Sequence, residues 1–123
     1  MNINGYNQYK EQSINTMTSG ELLLLLYDEL MKRLIRAELA LDQKNYELFD
    51  QSIQRSKEII WYLDDTLDRQ YPISVQLSRL YEYFTFQLSR VAASRNKKIL
   101  EELKPYVNEL RDAFRTAQKN TNQ

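Results

Sequence analysis

The chain has 123 residues with 17 basic and 17 acidic side chains, so no net field draws it to nucleic acid or to an anionic membrane. That length suits one domain able to bury its own core, and the absence of cysteine and histidine removes a disulfide framework and the usual ligands of a transition metal. Two glycines and two prolines leave little material for turns, and no alternating polar/apolar run bounded by turn residues persists, which predicts an all-α protein.

Residues 1–16 hold Asn and Gln with scattered Ile3, Tyr6, Tyr9 and Ile14 and no sustained period. They are read as an N-terminal arm whose aromatics could fold back on the first helix. They lack the basic start and continuous apolar stretch of a signal peptide, so a cytoplasmic protein is expected. The four-helix domain is assigned to residues 17–118. Thr18 and Glu21 have the spacing of a capping box, and Met17 and Leu22 that of a hydrophobic staple, so a first helix is predicted from about Ser19 to Asp42. Leu23, Leu26, Tyr27, Leu30, Leu34, Ala37 and Leu41 form its core stripe, about 100° wide. Leu24, Met31 and Ile35 widen the apolar face to roughly 180°, more than one contact with a core needs. The run Leu22 to Leu26 is too short and too soon charged to span a bilayer, which takes about 20 residues.

Lys44-Asn45 makes the next connection. The second helix is predicted from about Tyr46 to Asp68, with Phe49, Ile53, Ser56, Ile60, Leu63 and Leu67 inward and the small Ser52 and Ser56 allowing close approach. Trp61 falls outside that stripe, amid Lys57, Glu58, Asp65 and Asp68. Arg69 to Pro72 connects to a third helix, about Ser74 to Arg95, because a residue before proline is pushed from helical angles. Its core stripe is Leu77, Leu80, Tyr81, Phe84, Leu88 and Val91, and Val75, Tyr83 and Phe86 lie off it beside Arg79, Glu82 and Arg90. Asn96 caps a fourth helix from Lys97 to about Gln118, with Ile99, Leu103, Tyr106, Leu110, Phe114 and Ala117 inward. Pro105 interrupts it on the polar side, predicting a kink and not a break. Residues 119–123 are expected to fray. Four such helices on short connections pack most simply as an antiparallel up-down four-helix bundle.

Chemistry for an enzyme is missing. A di-metal bundle site needs inward glutamates with Glu-x-x-His pairs, and here only Glu38 borders the interior. No glycine-rich phosphate loop occurs, and nothing is available to activate a hydroxyl nucleophile. No catalytic residue, metal or other cofactor is therefore expected. Arg90, Arg95, Lys97 and Lys98 read as a solvated charged connection. What remains unexplained is surplus aromatic and apolar surface, the kind of composition enriched where partners dock.

At this point the order of motifs resembles a known family. Tyr9 and Ile14 precede a Thr-Ser-Gly-Glu-Leu start, followed by LLLLLYDELMKRL, SIQRSKEIIWYLDDTLD, LSRLYEYFTFQL and LEELKPYVNELRDAF. Together these resemble the flagellar secretion chaperone FliS family over about residues 6 to 117. That family usually has Gly at the position of Glu29, Ala-Asn at Val91-Ala92 and Trp at Phe114, and often arginines at Phe86 and Gln87. The resemblance implies an antiparallel bundle that binds the disordered C-terminal segment of flagellin in the cytosol. It would hold that subunit unpolymerised and deliver it to a component of the flagellar type III export gate. Leu24, Met31, Ile35, Trp61, Tyr83 and Phe86, outside the core stripes, are then the candidate flagellin contacts. Tyr6, Tyr9 and Ile14 are the candidate lid over that surface. A self-associating structural bundle or adaptor without a flagellin client is the alternative, and the chain is expected to be a monomer or a weak homodimer.

Overall fold

In the computed structural model, which describes residues 19–121, the apolar periods become four helices: α1 Ser19–Asp42, α2 Tyr46–Asp65, α3 Ile73–Ser94 and α4 Lys97–Thr121. α1 packs on α2 and α4, and α3 packs on the same two, so the helices follow one another around a ring. Cross-links fix their directions. Lys97 at the start of α4 reaches Asp42 at the end of α1 at 2.9 Å, while Arg111, farther along α4, reaches Asp28 nearer the start of α1 at 3.4 Å. Ser78, early in α3, donates to Asp64, late in α2, at 2.8 Å. The arrangement is the expected four-helix bundle. The capping box at Thr18, the staple at Met17 and the arm with Tyr6, Tyr9 and Ile14 lie outside the described residues.

Local chemistry sets the helix ends. Lys44 takes a left-handed conformation, φ 57°, and donates to Leu41, while Asn45 donates to Ala40 at 2.8 Å. Those two bonds close a Schellman turn and satisfy carbonyls that α1 would otherwise leave bare. Asn45 also opens α2, its side chain accepting from the Leu48 amide at 3.2 Å, so one two-residue corner both stops and starts a helix. α2 ends at Asp65, three residues before the expected Asp68. Thr66 caps it, its hydroxyl donating to Leu63, and Asp68 instead accepts from the Gln70 amide. Short polar side chains competing for the backbone cut this helix short. α4 runs to Thr121, past the expected Gln118, with Lys119 favourably placed against the helix dipole in its last turn. Pro105 lies within α4 without ending it.

The core is filled by Tyr27, Leu30, Leu34 and Ala37 of α1, with Phe49, Ile60 and Leu63 of α2 and Tyr81, Phe84, Leu88 and Val91 of α3. Ser52 and Ser56 are buried as the small residues at a close helix approach, and the Ser56 hydroxyl donates to the Ser52 carbonyl at 2.8 Å. One expectation is corrected on α4. Tyr106 is about half exposed and Ala117 is exposed, while Leu100 and Val107 are buried. Leu100, Leu103, Val107, Leu110 and Phe114 alternate three- and four-residue steps, the seam spacing of a bundle helix. Tyr106 sits beside that seam and not on it.

Two polar atoms meet inside this core. The Tyr27 and Tyr81 hydroxyls hydrogen-bond one another across the bundle, and the Tyr27 ring stacks on Phe114 with centroids 5.3 Å apart. Burial pushes the Tyr27 phenol well above its usual range, reinforced by the neighbouring Tyr81 charge and by their hydrogen bond. Burial also raises Tyr81, partly opposed by the bond from Tyr27, with Asp64 raising it further. A phenol whose folded pKa is raised stabilises fully below its unfolded value, about 10, and that contribution is lost as pH rises beyond it. Stability should therefore fall above about pH 10 in urea titrations, and Tyr27→Phe combined with Tyr81→Phe should flatten that fall. At pH 7 either single substitution leaves a hydroxyl unpaired and should cost about 1–3 kcal/mol, the double variant costing less than the sum.

Candidate functional site

Surface grooves run between neighbouring helices, and the residues that the wheels left outside the core line several of them. On the α1/α4 side, Met31 and Ile35 form a groove with Glu101, Lys104, Pro105 and Asn108. Ile35 is 45% exposed and Met31 half-buried, so the widened face of α1 remains partly open to solvent. Pro105 contributes an apolar ring and no amide, which suits a wall that needs no backbone donor.

Ion pairs flank this groove at both ends. Toward one end Asp28 meets Arg111 at 3.4 Å and Arg115 at 3.7 Å, and Arg115 also holds Asp112. Toward the other, Glu38 pairs with Lys104, and Lys97 reaches Asp42, Glu38 and Glu101. The hydrogen bond to Asp42 holds the Lys97 amine above its usual range, opposed by desolvation and helped by the charges of Asp42, Glu38 and Glu101. Lys97 is thus engaged between helices and is not the freely solvated lysine expected of that connection. Arg95, beside it, lies 3.9 Å from the centre of the Tyr46 ring. The charges bordering the groove are neutralised within the protein, and its open floor is apolar.

The other candidates do not converge on the same place. Trp61 is 52% exposed and sits on the α2/α3 side with Ile60, Asp64, Tyr81, Glu82 and Thr85. Tyr83 lies on the α3/α4 side with Glu102, Pro105, Tyr106 and Glu109. Phe86 is 61% exposed on α3 and lines none of these grooves. Leu24 is half-buried on α1. Residues missed by the sequence reading are Tyr106, assigned to the core, and the exposed Leu39 and Tyr62. Leu39 continues the Met31 and Ile35 ridge by another four residues, a signal present in the sequence. Tyr62 forms an α1/α2 groove with Leu22, Leu26 and Ile59, and its neighbour Trp61 drew the attention instead.

Among the described residues no group of histidine, cysteine or acidic side chains could hold a metal ion, and no helix is long and apolar enough to cross a membrane. The arrangement offers shape and apolar area for a polypeptide partner.

Known proteins share this chain's pattern along nearly its whole length. The family model described as "Flagellar protein FliS" matches residues 2–121. The flagellar secretion chaperone FliS of Bacillus subtilis (strain 168) is 31% identical over 114 residues, covering 93% of this chain and 86% of that protein. A solved structure described as a crystal structure of a flagellar chaperone from bacteria superimposes with a TM-score of 0.79 at 18% identity, covering 96% of this chain and 98% of the other. At that identity the structural likeness speaks for the fold.

The revised seam of α4 separates core from surface by substitution. Leu100→Ala should lower stability by about 2–5 kcal/mol, as a large-to-small change in a filled core does. Ile35→Ser and Tyr106→Ser should each stay within about 0.5 kcal/mol of the parent in denaturant midpoint. A Tyr106→Ser loss as large as that of Leu100→Ala would return Tyr106 to the core.

Proposed function

This chain belongs to the FliS family of flagellar proteins, and on that footing we propose that it binds the C-terminal segment of flagellin in the cytosol. As a family member it is a flagellar chaperone and not an enzyme. In the reading proposed here it keeps flagellin from polymerising early and hands it to a component of the type III export gate. The observation that carries this reading is the open apolar groove of Met31, Ile35 and Pro105, whose bordering charges are already paired.

The physics of such a client accounts for that design. A disordered segment that folds on binding gives up about 2–5 kcal/mol of the gross interaction to become ordered, so its receptor must offer a long apolar surface. An amphipathic helix laid in a groove supplies the matching stripe through side chains at three- and four-residue spacing. Because the groove's neighbours are internally neutral, they add no demand for charge on the client. Leu24 on the same helix, and Trp61, Tyr83 and Phe86 on other sides, are contacts for a client long enough to wrap around the bundle.

The arm is proposed as a lid, on the strength of Tyr6, Tyr9 and Ile14 ahead of the apolar face of α1. A lid closed about 90% of the time would weaken apparent client affinity about tenfold, or roughly 1.4 kcal/mol. Deleting residues 1–16 should then tighten calorimetric binding of a flagellin C-terminal peptide by about that factor and make the free protein more prone to aggregate. Replacing only Tyr6 and Tyr9 by serine should give a smaller change of the same sign. Unchanged or weaker affinity after truncation rules the lid out. No binding by either form, or parental affinity in both Ile35→Ser and Met31→Ser, removes the groove as the client site.

A further inference from the structure

Going around the bundle, the grooves differ in how their carboxylates are satisfied. Those along the α1/α4 side are paired, as described above. In the α1/α2 groove Glu58 meets Arg55 at 3.1 Å, and in the α2/α3 groove Asp64 takes the Ser78 hydroxyl and lies 3.6 Å from Arg69, leaving a single carboxylate, Glu82, without such a partner. The α3/α4 groove is different. Its charged lining consists of Glu102 and Glu109, and among the described residues neither makes an ion pair or a hydrogen bond through its side chain. Seven residues, two helical turns, bring both carboxylates to one face of α4, about 10 Å apart along the axis. Pro105 and Tyr106 lie between them.

The apolar part of this groove is already ordered. The Tyr83 and Tyr106 rings meet edge to face, with centroids 6.4 Å apart and planes at 85°. Both are exposed, at 42% and 52%. Tyr83 is held in place from behind: the buried Gln87 amide donates to its hydroxyl at 3.0 Å, and Arg90 donates to the Gln87 carbonyl oxygen at 2.8 Å. The ring pair therefore needs little further ordering when a partner arrives, which removes one of the costs of association. The cations nearest in sequence do not quench the glutamates. Lys104 is engaged by Glu38 and Arg90 by Gln87, while Lys98, four residues before Glu102 on α4, makes no ion pair to it.

We propose that the α3/α4 groove docks an amphipathic helix of a partner protein that carries two lysines or arginines seven residues apart with an apolar side chain between them. The apolar chain covers the Tyr83–Tyr106 pair, and the two cations meet Glu102 and Glu109. Charge complementarity distinguishes this surface from the internally neutral α1/α4 groove, so the bundle offers two faces of different chemistry. The inference concerns the helix the face accepts and holds whichever protein supplies it; it does not rest on the flagellin reading.

The test uses the full chain and two synthetic helical peptides of about 20 residues, identical except that two positions seven residues apart, with a leucine midway between them, are both lysine or both glutamate. Calorimetric titration should show binding of the lysine peptide, weakened about tenfold in the E102Q/E109Q double variant and again by about 0.5 M salt. The glutamate peptide should bind about tenfold more weakly than the lysine peptide, and Tyr106→Ser should weaken the lysine peptide as well. Lys98→Gln, which removes the cation one helical turn before Glu102, should strengthen it. The emission of Trp61, the one tryptophan, across α3 in another groove, should not change. Circular dichroism checks that each variant is folded; all alter exposed side chains. Failure of the lysine peptide to bind, equal binding of the two peptides, or parental affinity in E102Q/E109Q overturns the proposal. A lysine-peptide titration that shifts Trp61 emission and leaves E102Q/E109Q unaffected overturns it too, by placing the contact elsewhere.

Discussion

The middle of the bundle depends on two phenols facing one another. Tyr27 of α1 and Tyr81 of α3 belong to helices diagonal in the ring, and their hydroxyl contact ties those helices at a fixed axial position. Both side chains are buried, so sliding either helix by one residue would separate the two hydroxyls. The surrounding apolar contacts supply most of the energy but tolerate rearrangement; a directional bond between buried groups does not. The stacking of Tyr27 on Phe114 extends the same constraint to α4. With three helices held in register around one point, the grooves between them have defined shapes.

That register also explains what the sequence could and could not say about the core. Tyr27, Leu30, Leu34 and Ala37 of α1 and Tyr81, Phe84, Leu88 and Val91 of α3 were legible from their three- and four-residue spacing, although further apolar residues flank both stripes. On α4 two overlapping stripes were available, sharing Leu103, Leu110 and Phe114 but differing in whether Tyr106 or Val107 completed them. A single helical wheel cannot separate faces a few tens of degrees apart. The position of α3 decides it, by giving Tyr106 an aromatic neighbour at the surface and leaving Val107 the interior. Helix ends were misplaced by three residues where Thr66 and Lys119 acted through caps and dipoles, short-range effects that apolar periodicity does not register. The candidate contacts were legible as surplus, since Met31, Ile35, Trp61, Tyr83 and Phe86 all retain exposure. Their partition among different grooves was not, because it depends on which helices are neighbours.

Pairing of charge completes the division between faces. Along α1 and α4, acids and bases answer one another across the helix boundary, fixing the antiparallel packing while leaving an apolar strip between them. The exposed Lys97–Asp42 pair adds little stability, so its consequence is geometric and electrostatic. Together the pairs keep the α1/α4 strip neutral in a protein whose total charge is already zero. A surface of that kind suits a client recognised by shape and apolar spacing. It also carries a liability, because an open apolar strip can equally join two copies of the same chain.

Light scattering coupled to size-exclusion chromatography, with and without a peptide of the flagellin C-terminal segment, addresses that choice most directly. The account predicts a monomer when free and a one-to-one complex when the peptide is present. A stable dimer that neither binds the peptide nor dissociates in its presence would contradict it.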